Sequence, residues 1–100
     1  MNYDIFYSSS KWQKKRKLIL MRDAYMCINC KRYGIFKDAL IVHHIEPLND
    51  DLSNAYNNDN LISLCLSCHN KMHNRNNLQE LSNFGKEFKK VYDNKLKRKR

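Results

Sequence analysis

The stretch Asp59-Asn60-Leu61-Ile62-Ser63-Leu64-Cys65-Leu66-Ser67-Cys68-His69-Asn70-Lys71-Met72-His73 packs an apolar run, a cysteine pair and two histidines into fifteen residues. Leu61 to Leu64 reads as a short strand, and a helix from about Ser67 would carry Cys68, His69 and His73. Residues four apart on a helix share a face, so His69 and His73 can approach one ion. Neighbours diverge by about 100°, so Cys68 can face one cation while His69 faces another.

Upstream, Cys27-Ile28-Asn29-Cys30 matches the spacing of Cys65 and Cys68. Two thiolates in one tight turn occupy one side of a tetrahedral Zn²⁺, and a second such turn closes the shell. With sulfur in all four positions no site remains for water or substrate, so this zinc should be structural. The competing reading, four unconnected reduced thiols, leaves a core-poor chain without a staple. The 34 residues between Cys30 and Cys65 exceed a simple zinc ribbon, so something substantial is inserted there.

Between the cysteine pairs, Ala39-Leu40-Ile41-Val42 is short and rich in branched residues, which suits a strand. His43 and His44 follow it, and Pro47 limits its continuation. Adjacent strand residues point to opposite faces, so His43 and His44 can serve one site only where the strand ends or bends. Residues 49–60 are dense in Asn, Asp and Ser and read as a long loop. All four histidines lie within 31 residues. Neutral imidazole ligates divalent metals and is the usual base near neutral pH; together these suggest metal-assisted hydrolysis. At His73 a solvent-facing position competes with ligation.

The first ten residues, aromatic and serine-rich, are expected to be extended. Ser10 is the expected N-cap of a helix from Lys11 to about Asp23, with Trp12, Arg16, Ile19 and Leu20 on one face. Lys11, Lys14, Lys15 and Lys17 lie mostly on the other. Near the end, Leu81, Phe84, Phe88 and Val91 would line one side of a last helix. The basic run Lys95–Arg100 is expected to fray.

One hundred residues suffice for one domain, expected to span 1–100, with a core at about 6–73 and a basic helical extension at 78–100. The chain is 42% hydrophobic with a mean hydropathy of −0.79 and shows no membrane-length apolar run or secretory signal. The expected setting is a reducing cytoplasm, where paired cysteines bind metal. The net charge of +9, from 19 Lys and Arg against 10 Asp and Glu, favours a polyanionic partner.

Taken together, Cys27-x-x-Cys30, His43-His44-Ile45-x-Pro47, Asp59-Asn60-Leu61 and Leu64-Cys65-x-x-Cys68-His69-x-Lys71-x-His73 resemble the HNH endonucleases, in particular the small phage type. Phe6-Tyr7-Ser8-Ser9 with Trp12, Arg16, Leu20, Arg22 and Asp23 resembles their lead-in. The resemblance covers about residues 6–73. It implies an α+β chain, a small zinc-stapled ββα-metal (His-Me finger) domain with flanking helices. It matches His43 and His69 to ligands of one catalytic divalent cation, and His73 to a further ligand in some members. His44 matches the general base. Asn60 matches the residue that pins the loop orienting that base.

The function so implied is metal-dependent hydrolysis of DNA phosphodiesters, with Mg²⁺, Mn²⁺, Ni²⁺ or Zn²⁺ as the working ion. No carboxylate cluster accompanies the histidines, which argues for one catalytic ion rather than two. Lys11 to Lys17, Lys71, Arg75 and the C-terminal basic run are candidate phosphate contacts. A monomer or weak dimer is expected, and the phage resemblance extends to terminase subunits as partners. Two other readings explain part of the pattern. A non-catalytic zinc-finger module that binds DNA accounts for the cysteines and the charge, but gives His44, Asn60 and His69 no reason to co-occur. A structural subunit of a packaging machine would keep the fold for its contacts alone.

Overall fold

The computed structural model describes residues 3–48, 52–73 and 80–98, with side chains to residue 91. Arg75, the interruption expected at 74–77, Asp50, Asp51 and the side chains of Lys95–Arg100 lie outside the described residues. The elements run α1 (Asp4–Ser8), α2 (Ser10–Arg22), α3 (Ile28–Arg32), β1 (Ile41–His44), β2 (Leu61–Leu64), α4 (Leu66–Met72) and α5 (Asn83–Arg98). Single turns of 3₁₀ helix at Leu52–Asn54 and Asn58–Asn60 sit in the loop between the strands.

The N-terminus departs from its extended expectation. Residues 4–8 are helical because Phe6 packs on Trp12 and Tyr56, with ring centroids 5.2 and 5.3 Å apart. The chain is extended only at Ser9, which N-caps α2 in place of Ser10 by accepting a hydrogen bond from the Trp12 amide at 3.1 Å. α2 then buries Trp12, Ile19 and Leu20. It ends at Asp23, whose carboxylate pairs with Arg22 at 2.9 Å and accepts from the Ser63 amide at 3.0 Å. Arg22 also donates to the carbonyls of Asn58 and Leu61. This pair therefore locks the end of α2 to the second strand.

β1 and β2 pair antiparallel, His43 opposite Ile62 and His44 opposite Leu61. β2 has the expected bounds, whereas β1 lies two residues later than Ala39–Val42 and includes both histidines. The pleat sorts the side chains by parity. Val42 and Leu61 join Trp12, Ile19, Leu20 and Ala39 in one cluster under α2. Ile62 and Leu64 join Cys27, Cys65, Cys68, Met72, Ile45 and Phe88 in a second, around the cysteines. The two strands and α4 form the ββα unit.

α4 ends at Met72, so His73 leaves the helix that was expected to carry it. Its backbone is extended and bridges to Leu81. The orphan carbonyls at the end of α4 are taken by Ser82, whose hydroxyl donates to the Lys71 carbonyl and whose amide donates to the Met72 carbonyl at 2.9 Å. The same hydroxyl accepts from the Gly85 amide at 3.1 Å, which joins the two helices. α5 packs its Phe88 into the core, while Phe84 and Val91 stay partly exposed. Lys89 pairs with Glu46 at 3.2 Å, tying α5 to the segment after β1. The helix continues to Arg98, so residues 95–98 are helical rather than frayed.

At Gly85 a Cβ would lie 2.1 Å from the Met72 carbonyl oxygen. Gly85→Ala gains helix propensity of about 1 kcal/mol but must push two backbones apart, an overpacking cost of about 1–3 kcal/mol or more. The expected result is a melting temperature lowered by several degrees. A thermal melt superimposed on the wild type would show that the helices do not need this approach. Among the described residues no helix is long and apolar enough to cross a membrane.

Candidate metal centres and active-site cleft

The four cysteines converge with their sulfurs within 4.8 Å of one another, and none is in a disulfide. Cys30 Sγ lies 3.6 Å from Cys68 Sγ and 4.0 Å from Cys65 Sγ. A tetrahedral shell with Zn–S near 2.3 Å requires sulfurs about 3.8 Å apart, so the four thiols fit a zinc ion. Cys27 and Cys65 each N-cap a short helix, accepting from the amides of Cys30 and Cys68. Such amides favour thiolate. Burial, then the neighbouring sulfurs, push the Cys30 thiol up to about 12. Cys65 is raised by burial, yet the Cys68 amide and the other thiols draw it down to about 7. Asn29 also donates to Cys68 Sγ at 3.4 Å, a contact to the thiol cluster for which the sequence pattern holds no cue.

The second centre is made of imidazoles. His43 comes from β1, His69 from α4 and His73 from the extended residue after it. Their rings lie 5.0–5.5 Å apart, and each pair is inclined by 69–72°. This near-threefold propeller places one nitrogen from each ring within 4.8 Å of the others. The Nδ1 of His73 is buried and has no hydrogen-bond partner among the described residues. A buried orphan nitrogen is costly, and a cation shared with the other two rings would satisfy it. Burial and then the charges of His69, His73 and His44 hold His43 down to about 2. Burial and then His73 hold His69 down to about 4, and burial lowers His73. All three are therefore neutral near pH 7, the state that ligates metal. A cation held by these three donors would have coordination positions left for further ligands.

His44 stands apart. It points to the α2 face, where Trp12 stacks on it at 5.0 Å and 23°. Its Nε2 lies 3.1 Å from the Ala55 carbonyl oxygen. A carbonyl only accepts, so Nε2 carries the proton and Nδ1 keeps the lone pair. Burial lowers its pKa, and the bond to Ala55 opposes that shift. Asn60 fixes the loop that supplies this carbonyl. Its Oδ1 accepts from the Glu46 amide at 2.7 Å, and its Nδ2 donates to the carbonyls of Glu46 and Asn54 at 3.2 and 3.1 Å.

β1 ends at His44 and the chain bends at Ile45 and Glu46, the condition expected if both histidines are to serve one site. Among the described residues no strand pairs with β1 on the side away from β2, and a cleft of about 390 Å³ is lined by residues 40–44 of this segment. His43, His69 and His73 line it from one face; His44, Trp12, Tyr7 and Arg16 line it from the other. Opposite side-chain directions thus become opposite walls of one cleft. Arg16, which sequence reasoning placed on a packing face, donates to the Leu40 carbonyl at 2.7 Å at this cleft. Burial and then Tyr3 raise the pKa of Tyr7, keeping its hydroxyl protonated. Two of the lysines considered for phosphate are engaged within the protein: Lys11 lies over the Tyr56 ring, and Lys15 donates to Asn58.

The family model described as HNH endonuclease matches residues 27–75. A protein of Lactococcus phage SK1, named "Probable HNH endonuclease", is 39% identical over 70 residues, covering 66% of this chain and 72% of the relative. Among solved structures, the HNH endonuclease of the deep-sea thermophilic bacteriophage GVE2, crystallised with manganese ion, is 43% identical with a TM-score of 0.62, covering 65% of this chain and 71% of that one. Together with the cysteine cluster, the histidine propeller and the ββα unit, these likenesses show that the chain belongs to the HNH endonucleases.

Proposed function

We propose that the chain hydrolyses DNA phosphodiester bonds in the cleft along β1, with His44 as general base and His43, His69 and His73 holding one divalent cation. The observation that carries this reading is the division of the cleft, with three converging imidazoles on one wall and a separately oriented imidazole on the other. His44 Nδ1 takes a proton from a water in the cleft, the water oxygen bonds to phosphorus, and the bond to the 3′ oxygen breaks, the departing alkoxide taking up a proton from solvent. The products then carry 5′-phosphate and 3′-hydroxyl ends. Trp12 and the Ala55 carbonyl hold the imidazole in one orientation, and Asn60 acts through that carbonyl as a positioning residue. Arg16 binds a phosphate oxygen from the α2 side. A cation bound by the three histidines supplies Lewis-acid stabilisation of the charge that develops on the phosphoryl group.

The phage relative crystallised with manganese makes Mn²⁺ the first ion to test. Supercoiled plasmid should be nicked or linearised with Mn²⁺ or Mg²⁺ and left intact in EDTA. Intact plasmid with every cation in a series from Mg²⁺ to Zn²⁺ would count against the nuclease reading. The resemblance of the motifs to small phage-type HNH proteins extends the proposal to work beside terminase subunits in DNA packaging, for which co-purification with those subunits is the readout.

A further inference from the structure

The loop Lys31-Arg32-Tyr33-Gly34-Ile35-Phe36-Lys37 leaves the first cysteine pair and returns to β1 with every residue exposed. Tyr33, Ile35 and Phe36 are 68%, 56% and 77% exposed, three large apolar side chains within four positions. Single exposed apolar residues are ordinary, but contiguous ones mark an interaction surface. Their exposure is built into the backbone. The amides of Tyr33 and Ile35 donate to the Cys30 carbonyl at 2.9 and 3.1 Å, and the Gly34 amide donates to that of Lys31 at 3.0 Å. The returning strand is fastened by the Cys27 amide on the Lys37 carbonyl at 2.7 Å and by the Ala39 amide on Tyr25 at 2.8 Å. Gly34 turns the chain at φ +75°, with open space where a Cβ would be. The loop is thus anchored to the zinc-binding turn and cannot fold its tip into the core.

Its charge indicates the occupant. Lys31, Arg32 and Lys37 flank the apolar tip, and residues 31–37 contain no acid. Its place indicates the same. The loop runs through Ala39 into Leu40 and Ile41, which line the cleft. Four residues span at most about 14 Å, so Phe36 lies within about four base-pair rises of Leu40 on a duplex with 3.4 Å per step.

We propose that residues 31–37 form a wedge that enters a groove of duplex DNA beside the cleft. Ile35 and Phe36 press against base steps, and Lys31 and Lys37 contact the flanking phosphates, while Arg32 lies over the rings of Tyr33 and Phe88. Apolar wedges framed by cations are a general means of unstacking and bending DNA. The inference rests on the nuclease reading and adds to it a device that holds distorted duplex over the active site.

The test uses the full chain with Ile35→Ser and Phe36→Ser together, whose exposed side chains neither belong to a metal-binding group nor line the cleft. Binding is read with a duplex carrying 2-aminopurine a few base pairs from the cut, without added divalent cation; nicking is read as KM and kcat. The wild type should raise 2-aminopurine fluorescence. The variant should lose that rise and show KM and Kd roughly tenfold higher, as expected from losing one base contact, with kcat unchanged. Lys31→Gln with Lys37→Gln should lower the slope of log affinity against log salt by about 0.9 per phosphate lost. If the wild type cuts plasmid while the Ser variant binds and unstacks DNA within twofold of it, the wedge is overturned and the nuclease reading stands. A wild-type dimer that the Ser variant turns into a monomer, with DNA binding unchanged, would also overturn it and assign the loop to self-association. A wild type that neither binds nor cuts duplex would overturn both.

Discussion

His44→Ala should reduce plasmid cleavage by roughly 10²–10⁴-fold, about 3–5 kcal/mol of transition-state stabilisation, while leaving zinc content and Mn²⁺ affinity close to wild type. The separation follows from the two walls of the cleft. The three rings that can hold a cation converge between β1 and the end of α4, whereas His44 faces Trp12 and is tied to Ala55. His43→Ala and His69→Ala should do the reverse, weakening Mn²⁺ binding along with activity. Because His44 is buried, its truncation leaves an imidazole-sized space under Trp12, and added imidazole should restore part of the rate. Loss of fold alone would not be rescued in that way. The pH profile adds a signed check. Burial lowers the His44 pKa from its ordinary 6.5, so the active neutral form persists as pH falls through that value. The acid limb of kcat/KM should lie below it. A His44→Ala protein that cuts at the wild-type rate would remove the base from the proposed mechanism.

The parts of this architecture that the sequence made legible are those whose signal is local. Leu61 to Leu64 is a short, mostly apolar run bounded by Asn60 and Cys65, and all four of its residues are buried. The two cysteine pairs carry their chemistry in their spacing. Where neighbours distant in sequence decide, reading failed in identifiable ways. Phe6 and Tyr7 suggested an extended tail, yet their packing on Trp12 and Tyr56 makes residues 4–8 helical. β1 was read two residues early because His43 and His44 count as polar, although they are 3% and 5% exposed. The spacing of His69 and His73 suggests one helix, which Leu81 and Ser82 terminate from eight and nine residues beyond His73. The placement of Trp12 on a packing face was sound as far as it went. Nothing in helical periodicity shows that the surface it packs on is an imidazole.

Stripping the zinc should unfold the chain, an effect larger than any change in the catalytic cleft. The cysteines are in the cluster that buries Ile62, Leu64, Met72 and Phe88, and they join α3 to α4 across more than thirty residues of sequence. Structural zinc in small domains is worth about 10–16 kcal/mol of apparent binding energy near neutral pH, and a domain's net stability is only about 5–15 kcal/mol. Cys27→Ser should behave like zinc removal. Cys27 is fully buried, so the serine would add a poorly matched hydroxyl to a site that has lost a ligand. The two centres can then be told apart by time and by metal. Brief EDTA treatment should abolish cleavage with the circular dichroism spectrum unchanged, and Mn²⁺ alone should restore it. Prolonged treatment with a strong zinc chelator should collapse the spectrum and release one zinc per chain; Mn²⁺ should then fail and Zn²⁺ should refold the protein. The reason is the donor set: manganese prefers oxygen and accepts imidazole, but four thiolates select zinc. A chain that keeps its spectrum and its melting temperature after losing all zinc would show that the apolar clusters hold the fold without the thiolate anchor. The position of α4, and with it His69 and His73, would then need another explanation.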